Sequence, residues 1–176
     1  MPVDEPTTKP KRKRLRLKEG DVFRFDAGQG EYGLGQLVIV EKNRIFVVMY
    51  HGLYDAAVRA EDVEGARTFL RGWTQDGSIY RGRWEILGNS PWRPQDLNFP
   101  IFRANVFERG VWIKDHLRNL IRPATPDEVE RYDLEWSTSS DGFDYAFRAL
   151  LGREKWIPLY SKMLNDRSDL PSSLIQ

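Results

Sequence analysis

The order of the periodic segments predicts an α+β fold: a strongly bent, mostly antiparallel, barrel-like sheet of about five to seven strands, followed by C-terminal helices. Two observations carry this. Three runs with strand character are joined by short turns inside the first fifty residues, and apolar residues at helical spacing are concentrated toward the C-terminus.

The first strand is Asp21 to Phe25, where Phe23 and Phe25 share one face and Val22 and Arg24 the other. Ala27-Gly28-Gln29-Gly30 turns the chain into Tyr32 to Val40, a second strand interrupted by Gly33 and Gly35. Glycine inside a strand marks a bulge, a bend or a close approach of something to the backbone. Lys42-Asn43 turns again, and Arg44 to His51 is an apolar third strand. Glu61 to Arg71 places Val63, Ala66, Phe69 and Leu70 on one helical face, which predicts a short helix. Tyr80 to Leu87 has strand character, and the three prolines of Ser90 to Pro100 predict a loop. Phe102 to Phe107 and Val111 to Lys114 form a hairpin about Glu108-Arg109-Gly110, which Leu117 to Arg122 extends. Thr125-Pro126-Asp127-Glu128 has the N-cap, N1 and N3 residues of a helix start. Phe143, Phe147, Leu150 and Leu151 recur at helical spacing, as do Trp156, Leu159, Tyr160 and Met163.

The 176 residues suit one domain, expected over residues 15–166. Residues 1–14 are expected to be a disordered basic leader, and 167–176 a frayed tail. The net charge of +1 is uneven: residues 1–18 carry seven basic and two acidic side chains, leaving the remainder mildly acidic. The longest apolar run, Ile45 to Tyr50, is far short of the roughly 20 residues that cross a membrane, and no apolar segment follows the basic start as in a signal peptide. With no cysteine there is no disulfide framework, thiolate metal site or thiol nucleophile, and a cytoplasmic location is expected.

Chemical motifs are absent. His51 and His116 stand alone, without the spacing of a zinc or two-metal centre. There is no nucleophile elbow, and Gly28-x-Gly30 precedes a strand rather than joining a strand to a helix. The pairs Glu61-Asp62, Asp127-Glu128 and Asp141 with Asp144 fit helix caps and solvated faces. No catalytic residue, metal or cofactor is therefore expected. Aromatic side chains are abundant, and Trp73, Trp84 and Trp92 alternate with Arg71, Arg81, Arg83 and Arg93; tryptophan, tyrosine and arginine dominate binding hot spots. Trp84 is expected in the core. Asp26, Glu31, Tyr54, Trp73, Arg81, Arg83, Trp92 and Asp144 are the candidate contact residues, on the expectation that loops expose them.

Four segments occur in order: Lys18-Glu19-Gly20-Asp21-Val22-Phe23; Tyr32-Gly33-Leu34-Gly35-Gln36-Leu37-Val38; Tyr50 to Asp55; and Tyr80-Arg81-Gly82-Arg83-Trp84 through Gly88-Asn89. This series resembles the immunity protein 26 family of bacterial polymorphic toxin systems. The resemblance implies a protein that binds the C-terminal domain of a cognate toxin, often a nuclease, and blocks it by occupying its surface. The family label is shared with an organophosphate phosphotriesterase, which leaves hydrolysis as one alternative; nucleic-acid binding through the basic leader is another. The mildly acidic body suits a basic nuclease partner.

Overall fold

A computed structural model describes residues 15–170. The basic leader and residues 171–176 of the tail lie outside them. The class is α+β, with eight strands in two antiparallel sheets. The first sheet contains β1 (Asp21–Gly28), β2 (Glu31–Val40), β3 (Ile45–Tyr50), β4 (Thr68–Thr74) and β5 (Trp84–Asn89), in the order β4-β3-β2-β1-β5. The second contains β6 (Phe102–Val106), β7 (Gly110–Lys114) and β8 (Leu120–Pro123), in sequence order. The expected barrel-like closure does not occur, because β4 and β5 remain the two edges of the first sheet. The proline-bearing segment 90–100 separates the two sheets.

The glycines of β2 make room for rings. Phe23 pairs with Gly35 and Phe25 with Gly33 across the β1–β2 ladder. A Cβ on either glycine would lie inside the facing phenyl ring, and at Gly35 it would also sit 2.7 Å from the Val48 carbonyl oxygen. Close approach is thus the reason for both glycines. Phe23 also stacks on Trp84 at 4.3 Å, and Phe25 meets Phe147 edge-on at 4.9 Å.

Residues 61–71 do not form the expected helix. A single 3-10 turn, Ala60–Val63, stops before Gly65, whose φ is +75°, and the chain then becomes β4. Buried β3 needs partners for its outer backbone groups, and β4 supplies them from Ile45–Thr74 to Tyr50–Thr68. That tertiary demand overrides a helical spacing carried by only four residues. The edge of β4 is covered in turn: Arg71 donates its N–H to the Met163 carbonyl at 2.7 Å, and Asn165 donates to Phe69 O at 3.0 Å.

Two further boundaries move. The strand expected from Tyr80 begins at Trp84, after a short helix α1 (Gly77–Tyr80). The helix expected around Trp156 is a 3-10 turn, Pro158–Lys162, and Arg167–Asp169 makes another. α2 (Pro126–Arg131) starts with the expected capping box between Thr125 and Glu128. α3 (Ser140–Leu150) is capped by Ser139, and its Phe143, Ala146 and Phe147 close one face of the first sheet over Phe23, Phe25 and Trp84. The opposite face packs Val22, Leu34, Val48 and Tyr50 against Val58, Ala60 and Val63.

Candidate functional site

Three of the eight candidate residues line one polar cleft, of about 390 Å³, between β1, β5 and α3, and two more, Glu31 and Arg81, are chain neighbours of its lining residues Tyr32 and Gly82. Strand register builds one wall. β1 sets Arg24 opposite Glu85 on β5 and Asp26 opposite Tyr32 on β2. Arg24 donates to Glu85 at 2.8 Å and to the Ala56 carbonyl at 2.6 Å, with its guanidinium 4.8 Å from the Tyr32 ring centre. Helical spacing builds the other wall, because Asp141, Asp144, Tyr145 and Arg148 fall three, four and seven residues apart on α3.

Asp144 is 8% exposed and accepts a 2.7 Å hydrogen bond from Trp84 Nε1. Burial pushes its carboxyl up to about 7, against the opposing pull of the Trp84 hydrogen bond and the positive charges of Arg148 and Arg83. Asp141 is held below the usual carboxylate range by its ion pair with Arg83, and Ser78 Oγ donates to it at 3.3 Å. Arg148 lies over the Tyr145 ring at 5.0 Å and reaches the Asp26 carbonyl at 3.4 Å, while its buried Nε makes no hydrogen bond and has the Glu154 carboxylate 3.9 Å away.

Asp26, Arg83 and Asp144 line this cleft. Glu31 flanks it, ion-paired with Arg153, which also donates to the carbonyls of Ala27 at 2.8 Å and Gly28 at 3.1 Å. Arg81 caps α1 and its charge helps hold Asp141 low. The other three lie elsewhere. Tyr54 joins Tyr32 through two backbone hydrogen bonds of 2.9 Å and faces a shallow acidic hollow with Asp55, Glu61 and Asp62. Trp92 is half-buried on the second core cluster and walls a separate cleft. Trp73 is not on a loop: it is 1% exposed within β4, beneath the Arg44 guanidinium at 3.7 Å, and donates to the His116 carbonyl at 3.1 Å. Its partner in the register is Phe46, so pairing with β3 carries it inward.

Arg24, Glu85, Tyr145 and Arg148 complete the cleft and were not foreseen. The four-residue spacing of Asp144 and Arg148 on a capped helix was the available signal; Arg24 and Glu85 needed the register. His51 stacks on Phe69 at 3.7 Å, whereas His116 stacks on Phe99 at 3.8 Å. Phe99 abuts Phe46 near the start of β3 and His51 follows its end, so the length of the strand, roughly 3.3 Å per residue, separates the two histidines. Among the described residues no group of three or more His, Cys, Asp or Glu could hold a metal ion. The cleft therefore offers paired, redistributable charges flanked by tyrosines, an arrangement suited to binding a polar surface.

The four sequence segments quoted above meet at the start of β1. Asn89 donates to the Glu19 carbonyl and to Asp21, both at 2.9 Å. Gln36 donates to the Ser90 carbonyl at 3.0 Å and accepts from the Tyr50 hydroxyl at 2.6 Å. Their glycines and amides thus fix the backbone of the first sheet. Residues 18–105, half of the chain, match the immunity protein 26 family. No curated protein and no solved structure matches.

Proposed function

The chain belongs to the immunity protein 26 family, and from that premise we propose that it neutralises a bacterial toxin by binding it one to one and covering its working surface. The toxin is of nuclease type, delivered as the C-terminal domain of a larger polymorphic toxin, and the complex forms in the cytoplasm. No turnover is involved. The observation that carries this reading is the family match to residues 18–105. The polar cleft supports it from the residues upward. Its exposed ion pair Arg83–Asp141 can exchange partners with a charged surface at little cost, since such a pair contributes roughly 0–1 kcal/mol in water. No helix among the described residues is long and apolar enough to cross a membrane.

The deciding experiment mixes the full chain with the toxin domain encoded beside it. Light scattering on the eluted complex should give a 1:1 mass, and titration should end toxin activity at one equivalent. Charge reversal at Arg83→Glu together with Asp26→Lys should weaken the complex at least tenfold. Toxin inactivated by a small fraction of an equivalent would mean turnover, and would overturn occlusion. Unchanged affinity after the reversals would move the interface away from this cleft.

A further inference from the structure

A different cleft, of about 410 Å³, opens where β4 meets the segment leading into β6 and the end of α2. Four cations line it, Arg71, Arg131, Lys162 and Arg167. They face one carboxylate, Asp133, which Lys162 already binds at 3.1 Å. Among the described residues no hydrogen bond, ion pair or ring contact reaches the guanidinium of Arg71, Arg131 or Arg167.

Arg71 is the telling member. The register sets it opposite Val48, on a mostly buried strand. Its Nε is sealed from solvent and meets no acceptor. Burial lowers its pKa to about 10, still far above neutrality, so the charge persists. An uncompensated charge in such a place is costly, and a buried polar group without a partner calls for one from outside the chain. Each of the protein's other half-buried arginine side chains has a partner: Arg44 pairs with Glu41 and Glu135, Arg24 with Glu85 and Arg153 with Glu31, while Arg103 donates to the Tyr132 carbonyl and Arg148 reaches the Asp26 carbonyl and lies 3.9 Å from Glu154. Arg71 departs from that rule, and it does so at the wall of an open cleft beside two more unpaired guanidinium groups.

We propose that this cleft binds an oxyanion of the phosphate class, with Arg71 as the inner fork and the exposed Arg131 and Arg167 closing on it from the rim. Phosphate fits better than carboxylate because the cleft has an excess of positive charge and three free planar forks. A single carboxylate is satisfied by one fork, whereas a phosphate monoester brings a charge of about −1.5 to −2 and three acceptor oxygens. Tyr132 and Trp136, both half-buried, supply aromatic walls next to the cations. The inference stands apart from toxin binding: either can fail without the other.

Calorimetric titration of the full chain tests it, with inorganic phosphate, a nucleoside 5′-monophosphate and acetate compared at one ionic strength. Phosphate should bind, acetate should bind far more weakly, and Arg71→Met should lower phosphate affinity roughly tenfold or more. The same variant should melt higher than the wild type in phosphate-free buffer, because it removes an uncompensated buried charge, and phosphate should no longer raise its melting temperature. An arginine that merely supported the fold would show the reverse. Arg167→Ser, at the exposed rim, should give a smaller loss of phosphate affinity and keeps the test open if Arg71→Met does not fold. A nucleotide bound more tightly than phosphate would assign the aromatic walls to a base, and equal affinities would assign a free phosphate; both support the site. No binding of either phosphate probe, acetate bound as well as phosphate, or undiminished affinity in both variants would overturn it.

Discussion

In the five-stranded sheet β3 has no exposed residue, whereas in the three-stranded sheet β8 has no buried one. Both are antiparallel, so strand pairing does not explain the contrast. Cover does. The first sheet is packed on both faces, by α3 and the 160–164 segment on one side and by residues 58–63 on the other. In the second sheet only Phe102 and Ile113 are buried, and Phe107 at its hairpin tip is 89% exposed. Polar links hold it instead. Arg103 donates to the carbonyls of Asp133 at 2.9 Å and Tyr132 at 2.7 Å, and Glu135 gathers Lys114, Arg118 and Arg44. The family match spans all of the first sheet and stops within β6. The shared segment thus coincides with the region whose packing tolerates least change.

The largest expected break in this comparison comes from one methyl group in the first sheet. Gly35→Ala drives a Cβ into the Phe23 ring and the Val48 carbonyl, and should cost about 3 kcal/mol in urea unfolding. A loss below about 0.5 kcal/mol would show that ring-on-glycine packing does not govern this sheet.

The two regions should also respond to pH in opposite directions. Beside the first sheet, the Asp144 carboxyl is raised by burial to about 7. The folded protein holds a proton that the unfolded chain releases near 4, so this group's contribution falls as pH rises from about 4 to 7. Asp144→Asn keeps an acceptor for Trp84 and should flatten that decline, gaining on the order of 2 kcal/mol at pH 8. A melting profile unchanged between pH 4 and 8 would contradict the buried-acid reading.

Glu135 anchors the second sheet with the opposite sign. Burial alone would raise its carboxyl, but donation from Lys114, Arg118 and Arg44 overcomes that and holds it at about 2. Its contribution is full above about 4.5 and is lost as pH falls toward 2. Glu135→Gln should cost about 1 kcal/mol at neutral pH and remove the acid dependence. Hydrogen exchange should speed up in β7 and β8 while β3 stays protected. Equal acceleration in both sheets would mean that they unfold as one unit.

The smallest effect belongs to Phe107→Ser, which should change stability by no more than about 0.5 kcal/mol, since almost no surface of that ring is buried. A larger loss would place a contact at the hairpin tip.

Much of the fold was legible in short-range pattern. The first three strands, the β6–β7 hairpin, the capping box of α2 and the apolar stripe of α3 all follow from turn residues and from periods of two or 3.6. The candidate site was legible only in part. Asp26, Arg83 and Asp144 could be chosen for their chemistry, but their meeting in one cleft depends on strand register and on α3 folding back over β1. Trp73 shows the limit from the other side: its composition suggested a contact residue, and pairing with β3 buried it.

By itself the sequence determined the α+β class, the order of strands before helices and the family-specific series of glycines and aromatics, because turn chemistry and side-chain periodicity act within a few residues. Only the tertiary structure decided that 68–74 is a strand, that the strands divide into two open sheets, and that Arg71 faces a cleft without a partner. Those outcomes rest on which buried backbone groups must be satisfied and which faces find cover, and both depend on residues far apart in the chain.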